Sequence, residues 1–173
     1  MLFGGKYAHN TWWTDEPRQI KGINLLPIGT FATHLGRDPK FVQRNLGTLK
    51  DDTESWLARG KSYTEVPKDI WQDIFAKYLA LADPTAALAQ WNRWGDVELG
   101  ETRTHTLHWM LSLQQMGTPD FSVTADTPLF AVFRRAEGGK TYLAYNAGAV
   151  AISVRFSDGK QLSVAPGSLA RSP

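Results

Sequence analysis

The sequence predicts an α+β fold in which helices come first and a small antiparallel sheet follows. Three observations carry this. From about residue 15 to 117 the apolar residues recur at helical spacing, with a continuous stripe at Ile70, Trp71, Ile74, Phe75, Tyr78, Leu79 and Ala82. Beyond residue 120 the period falls to two: Val150, Ile152, Val154 and Phe156 alternate with Ala151, Ser153 and Arg155. Two hairpin signals, Glu137-Gly138-Gly139 and Asp158-Gly159, fall in that second region. The change of period divides the chain into a helical region, 1–118, and an antiparallel β-subdomain, 119–173.

Taken in order, Asp38-Pro39 reads as an N-cap plus a first-turn proline and opens a helix through Phe41, Val42, Leu46 and Leu49. Gly60 breaks it. Pro67 opens the clearest helix, which carries the Ile70–Ala82 stripe. Asp83-Pro84 repeats the cap-and-proline start, for a helix through Leu88 and Trp91. Gly95 and Gly100 bracket a loop, and a last helix runs from Glu101 to Met116 and stops at Gly117, a C-cap glycine. The strands follow: Leu129–Arg134 and Thr141–Asn146 flank the first hairpin signal, and Leu162 and Val164 lie on the return strand of the second. Four or five short strands are expected. About fifty residues of strand are few for an independent core, so this part is expected to pack on something else.

Composition narrows the function. The chain has 173 residues, 42% hydrophobic and 21% charged, and a net charge of +2 from 19 basic and 17 acidic residues. That is globular, and long enough to bury a core. The basic residues are scattered, with Arg134-Arg135 as the one adjacent pair, which is no footprint for nucleic acid or an anionic membrane. There is no cysteine, so disulfide and thiolate chemistry are excluded. No apolar run has the length of a membrane span, and Met1-Leu2-Phe3 runs into Gly4-Gly5-Lys6 without a signal-peptide pattern. Seven Trp, five Tyr and eight Phe suit either a well-filled core or stacking on sugar rings.

Three places carry polar groups beside aromatics. In Gly100–Trp109 the helix mixes Thr102, Thr104 and Thr106, which are weak helix formers, with His105, His108 and Trp109. This suits a wall facing a polar, aromatic-lined cavity. Glu101, His105 and His108 stand at i, i+4 and i+7 and can share a helix face. They match no strong zinc motif, and a first-turn glutamate with hydrogen-bonded histidines is the preferred reading, so no metal or cofactor is expected. Asp96, Glu98 and Glu101 put three carboxylates in six residues. They read as a solvated loop before a helix N-terminus. The third place is Lys6-Tyr-Ala-His-Asn-Thr-Trp-Trp, where His9, Asn10 and Thr11 offer hydrogen bonds beside Trp12 and Trp13, the combination a sugar subsite uses. The alternative is that the two indoles anchor the first helix into the core.

Several stretches, in order, resemble glycoside hydrolase family 81, the endo-β-1,3-glucanases. They are Gly4-Gly5-Lys6 with Thr11-Trp12-Trp13, Ile20-Lys-Gly-Ile-Asn-Leu-Leu-Pro27, His105-Thr-Leu-His-Trp109, Ser122-Val-Thr-Ala-Asp126, Thr141-Tyr-Leu-Ala-Tyr-Asn146 and Phe156-Ser-Asp-Gly159. The resemblance implies helices of an incomplete (α/α)6 toroid joined to the β-subdomain, and inverting hydrolysis of β-1,3-glucosidic bonds. That chemistry uses an acid and a base roughly 6.5–9.5 Å apart. The family's Asn-Asp-His-His and Glu-Ser-Ser-Ser-Glu-Ala motifs, which carry the acid and base, do not occur in these residues. Both precede the Gly-Gly-Lys element in the family. The expectation is therefore a C-terminal segment that contributes a cleft wall and no acid or base of its own. Its partners would be β-1,3-glucan and the N-terminal part of the same polypeptide, and its location extracellular.

His9, Thr11, Trp12 and Trp13 are the first expected sugar contacts, and Arg103, His105 and His108 the second. Ala8 and His9 stand where the family usually has Asp and Tyr. A non-catalytic glucan-binding module, or an inert fragment, is the alternative. An opened toroid would leave stripes such as Ile70–Leu79 bare, so the isolated chain is expected to be poorly soluble, self-associating or partly molten. A sharp, reversible melt of a monomer would count against that.

Overall fold

Acid–proline pairs start three of the helices. The computed structural model describes residues 11–26, 28–62, 70–93 and 103–172. Its helices are α1 (Pro17–Ile23), α2 (Pro39–Ala58), α3 (Gln72–Ala80), α4 (Pro84–Trp91) and α5 (Arg103–Met116), with a 3-10 helix at Thr30–Gly36 between α1 and α2. Glu16, Asp38 and Asp83 are the N-caps of α1, α2 and α4. Their carboxylates accept the amides of Gln19 at 2.9 Å, Phe41 at 3.1 Å and Ala86 at 2.8 Å. Each following proline brings a φ already set for a helix and lacks the N–H that the first turn cannot satisfy.

α3 begins in another way. Its N-cap Trp71 has φ 57°, in the left-handed region that a bulky residue rarely enters. Pro67 lies outside the described residues. Ile70 and Trp71, read from the sequence as part of the helix, stand ahead of it. The Trp71 ring lies directly on Gly22 of α1, where a Cβ would sit 1.9 Å from ring carbon Cε3. That seat for the indole, which only glycine allows, accompanies the unusual backbone.

The chain divides into two units, Met1–Leu111 and Ser112–Pro173. In the first, α1 packs on α2, α2 on α3 and α3 on α4. Its buried residues include Ile20, Val42, Leu49, Trp56, Ile74, Tyr78, Leu81, Leu88, Trp91 and Trp109. The stripe expected to lie bare is covered in part: Ile70, Ile74 and Tyr78 are buried among these helices, while Trp71, Phe75 and Leu79 are half-buried. Exposed apolar side chains occur elsewhere, at Ile23, Leu26 and Phe31.

Polar ties run through this unit. Asn45 Nδ2 donates to the Tyr78 hydroxyl at 2.9 Å, joining α2 to α3. The buried Lys21 ammonium pairs with Asp52 and donates to the Thr48 carbonyl at 3.4 Å, joining α1 to α2. Trp109 Nε1 donates to the Lys77 carbonyl at 3.0 Å, joining α5 to α3, and Lys77 pairs with Asp73 one turn back.

The second unit is antiparallel throughout. Its strands are β1 (Thr118–Pro119), β2 (Phe130–Arg134), β3 (Lys140–Tyr145), β4 (Ile152–Arg155), β5 (Gln161–Val164) and β6 (Leu169–Ser172). One sheet has the order β1-β2-β3-β6, and β4-β5 form a separate hairpin. The described strands thus number six, one more than the upper expectation, because β1 and β6 are short edge strands with little alternation to read. Gly138 and Gly159, at φ +95° and +92°, make the two expected hairpin turns possible.

The core lies between sheet and hairpin: Val123, Val132, Tyr142, Ala144, Val154, Phe156, Leu162 and Val164. Two of the sequence motifs meet here. The amides of Asp126 and Ser157 donate to Arg155 and Thr124 carbonyls at 3.1 and 2.9 Å, zipping residues 124–126 onto the end of β4. Asn146, buried after β3, donates through Nδ2 to the carbonyls of Val150 (2.8 Å) and Val164 (3.1 Å) and accepts the Gly148 amide at 2.9 Å.

Asn146→Ala removes all three side-chain bonds and leaves buried carbonyls unanswered. It should lower the opening free energy of the β-unit by about 2–3 kcal/mol. Amide hydrogen exchange checks this: protection at Tyr145 and Val164 should fall, while protection in α3 and α4 stays as it was.

Candidate functional site

The N-terminal edge of the described chain is a turn that closes on itself. The Thr11 amide and hydroxyl both donate to the Thr14 carbonyl, at 3.0 and 2.9 Å, and the Thr14 amide donates back to Thr11 Oγ1 at 3.1 Å. Trp12 and Trp13 occupy the two positions inside that turn. The next residues fasten it. Thr14 Oγ1 accepts the Glu16 amide at 3.1 Å and bonds to Gln19 Oε1. Asp15 accepts Trp56 Nε1 at 3.1 Å and pairs with Lys61 at 2.9 Å. Glu16 caps α1 and pairs with Arg18 Nε at 2.8 Å.

On this support the indoles stand out. Trp12 is 96% exposed and Trp13 44%. They do not anchor α1 into the core, since the polar ties at Thr14, Asp15 and Glu16 hold it instead. An indole kept in water on a hydrogen-bonded turn can present an apolar face at little ordering cost. Thr11, at the foot of the turn, is half-buried and spends its hydroxyl on the turn. His9 lies outside the described residues.

The second set sits on α5. Arg103, His105 and His108 are all exposed, while Thr106, Trp109 and Met110 are buried. The helix therefore separates residues that the sequence places side by side. The histidines look outward, and the Trp109 indole turns inward to the Lys77 carbonyl. They do not line one cavity together: residues 105, 108 and 109 fall on one side of the helix, but the boundary between exposed and buried surface runs between the histidines and Trp109. The Arg103 guanidinium stands 5.5 Å from the ring centroid of Trp91, a cation–π distance that fixes its direction. Among the described residues no hydrogen bond or ring contact joins the α5 set to the Trp12 turn, and no group of three or more His, Asp or Glu is placed to hold a metal. Asp96, Glu98 and Glu101 lie outside the described residues.

Three described carboxyls have perturbed acidity, and all three are lowered. Hydrogen bonds from Lys61 and then Trp56 hold Asp15 below the usual carboxylate range. Burial pushes Asp120 upward, but the Ser122 hydroxyl and amide and the Arg134 guanidinium at 3.0 Å outweigh it. Lys140 at 2.8 Å and the Tyr142 hydroxyl at 2.7 Å lower Asp158. Burial and the Asp158 charge push Tyr142 itself up to about 12. The Asp120–Arg134–Lys140–Asp158–Tyr142 group is thus a satisfied lock within the β-unit. A general acid for glycoside cleavage needs the opposite shift.

Sequence reasoning missed the supporting residues Asp15, Gln19, Trp56 and Lys61. Only Glu16-Pro17 carried a signal, the same acid–proline pair that marks α2 and α4.

The family model described as glycosyl hydrolase family 81 C-terminal domain matches residues 1–111, the same stretch as the first structural unit. The chain is 42% identical over 170 residues to a glucan endo-1,3-beta-D-glucosidase of Acetivibrio thermocellus, covering 98% of the chain and 21% of that protein. It is 39% identical over 174 residues to another of that name from Thermobifida fusca, with the same two shares. Among solved structures it superimposes on a mutant of the glycoside hydrolase family 81 protein of Clostridium thermocellum with a TM-score of 0.78. That match has 41% identity and covers 95% of this chain and 21% of that one. The chain spans about one fifth of the length of these relatives. Both relatives and the solved structure extend over the β-unit, beyond the family model's match.

The Asp15 tie should respond to acid. A lowered folded-state pKa means that its contribution is present above the unfolded value of 3.8 and is lost as pH falls through the folded value. Protection of the Thr14–Glu16 amides, corrected for the intrinsic pH dependence of exchange, should fall below about pH 4, and Asp15→Asn should lower that protection at neutral pH and remove its acid dependence.

Proposed function

Because the chain belongs to glycosyl hydrolase family 81, we propose that it acts as the C-terminal segment of an endo-β-1,3-glucanase. In this role it supplies helices of an (α/α)6 toroid, the β-unit and one wall of the glucan cleft. The acid and base come from the rest of that polypeptide and work with inversion, and the substrate is a laminarin-type glucan met outside the cell.

One observation carries the assignment of a glucan surface: the Thr11–Thr14 turn holds Trp12 out in solvent, with Trp13 partly exposed beside it, on a hydrogen-bonded base. A pyranose presents an apolar C–H face that stacks on an indole, and its hydroxyls need donors and acceptors at the rim. Arg103, His105 and His108 form a second polar rim on α5. The family's acid and base motifs do not occur in these residues, which supports a binding role here and acid–base chemistry elsewhere in the polypeptide. This also favours the second reading, a glucan-binding module that performs no hydrolysis by itself.

Affinity electrophoresis in laminarin, run beside a reducing-sugar assay, tests both. This chain should be retarded by laminarin and release no sugar. Trp12→Ala should weaken retention about tenfold, the equivalent of about 1.4 kcal/mol. Because Trp12 touches no core, the variant should keep the wild-type circular dichroism. Unchanged retention would remove the turn from the site. Sugar release by this chain alone would show that it carries its own acid and base.

A further inference from the structure

The β1-β2-β3-β6 sheet is apolar on both faces. Side chains alternate along each strand, so Phe130, Val132, Tyr142, Ala144 and Ala170 point to the hairpin core. The opposite face carries Leu129, Ala131 and Phe133 along β2, Thr141, Leu143 and Tyr145 along β3, and Leu169 on β6. An antiparallel sheet with one face in water shows polar residues there. On this face Thr141 and Arg171 are the polar exceptions, and the runs Phe130-Ala-Val-Phe and Tyr142-Leu-Ala-Tyr read as strands covered on both sides.

Burial fades along that face. Phe133 and Thr141 are buried, and Ala131 and Leu143 are half-buried. The last row, Leu129–Tyr145–Leu169, is 46%, 41% and 63% exposed. The row is continuous across three strands: Tyr145 pairs with Leu169, and its amide donates to the Leu129 carbonyl at 2.9 Å.

We propose that the Leu129–Tyr145–Leu169 row is the seat for an apolar surface of the polypeptide that family 81 proteins carry outside the segment matched here. This rests on the reading that the chain works as part of a longer glucanase. The relatives are matched over 21% of their length, so most of their surface is available to cover such a row. A second copy fits less well. Three partly exposed side chains fall far short of the about 800 Å² a side that a stable homodimer buries. A tethered partner needs much less, because linkage raises its effective concentration to about the millimolar range. A glucan fits less well too, since the Tyr145 hydroxyl is the row's one polar side-chain group, too little to orient the several hydroxyls of a sugar ring.

The test uses a chimera in which this chain replaces the matched fifth of the Acetivibrio thermocellus protein, with and without Leu129→Ser, Tyr145→Ser and Leu169→Ser together. The triple variant should lower the chimera's melting temperature by at least about 3 °C. It should leave hydrogen exchange of the β-unit in the isolated chain unchanged. Equal melting of the two chimeras would overturn the proposal, as would a wild-type chimera that fails to assemble, or equal loss in chimera and isolated chain. Sedimentation that shows a wild-type dimer dissolved by the triple variant would assign the row to a second copy instead. Laminarin retention by the isolated chain is read separately, so failure at Trp12 leaves the row's result standing.

Discussion

The Lys21–Asp52 pair sets the geometry of the helical unit. A buried ammonium has to be answered, and Asp52 on α2 answers it, with the Thr48 carbonyl beside it. Four residues further along α2, on the same face, Trp56 reaches Asp15. Seven residues before Asp52, again on that face, Asn45 takes the Tyr78 hydroxyl of α3. One face of α2 therefore receives α1, the segment before α1 and α3 at three fixed points. Paired burial of this kind adds little net stability, because desolvation offsets most of the attraction. What it supplies is register. A slide of α1 by one turn would strand Lys21 and carry Asp15 away from Trp56, and the Trp12 turn would lose its base.

How far the fold could be read from the sequence follows from where each cause lies. Asp38-Pro39 and Asp83-Pro84 start helices because the carboxylate cap and the proline φ act within one turn, and the structure shows both bonds. Asp158-Gly159 makes its hairpin for the same local reason. Glu16-Pro17 was equally readable and starts α1. Features that depend on a distant partner were not readable. The left-handed Trp71 accompanies its seat on Gly22, 49 positions away in sequence. The cover over Ile70, Ile74 and Tyr78 comes from packing between helices, which no local pattern shows.

The candidate site divides along the same line. That residues 11–13 and α5 carry polar groups beside aromatics is visible in the sequence. Which way each side chain faces is not. His105 and Trp109 are four apart and would share a face on an ideal helix, yet one is exposed and the other buried. The site's edge falls between them, and it is set by Trp109 Nε1 finding the Lys77 carbonyl.

Trp12 is the residue whose placement is hardest to explain by folding alone. A core-seeking indole would gain on the order of 2–3 kcal/mol by burial, yet the chain holds it in water. The polar groups around it are committed to keeping it there. Thr11 and Thr14 lock the turn, Asp15 spends its carboxylate on Trp56 and Lys61, and Glu16 spends its own on α1 and Arg18. A loop that only had to connect would need none of these bonds. On the reading that Trp12 meets the face of a sugar, each bond removes a motion that binding would otherwise have to arrest. The lowered acidity of Asp15 is a by-product of that support. It keeps the carboxylate charged, and so keeps the tie, well below neutral pH.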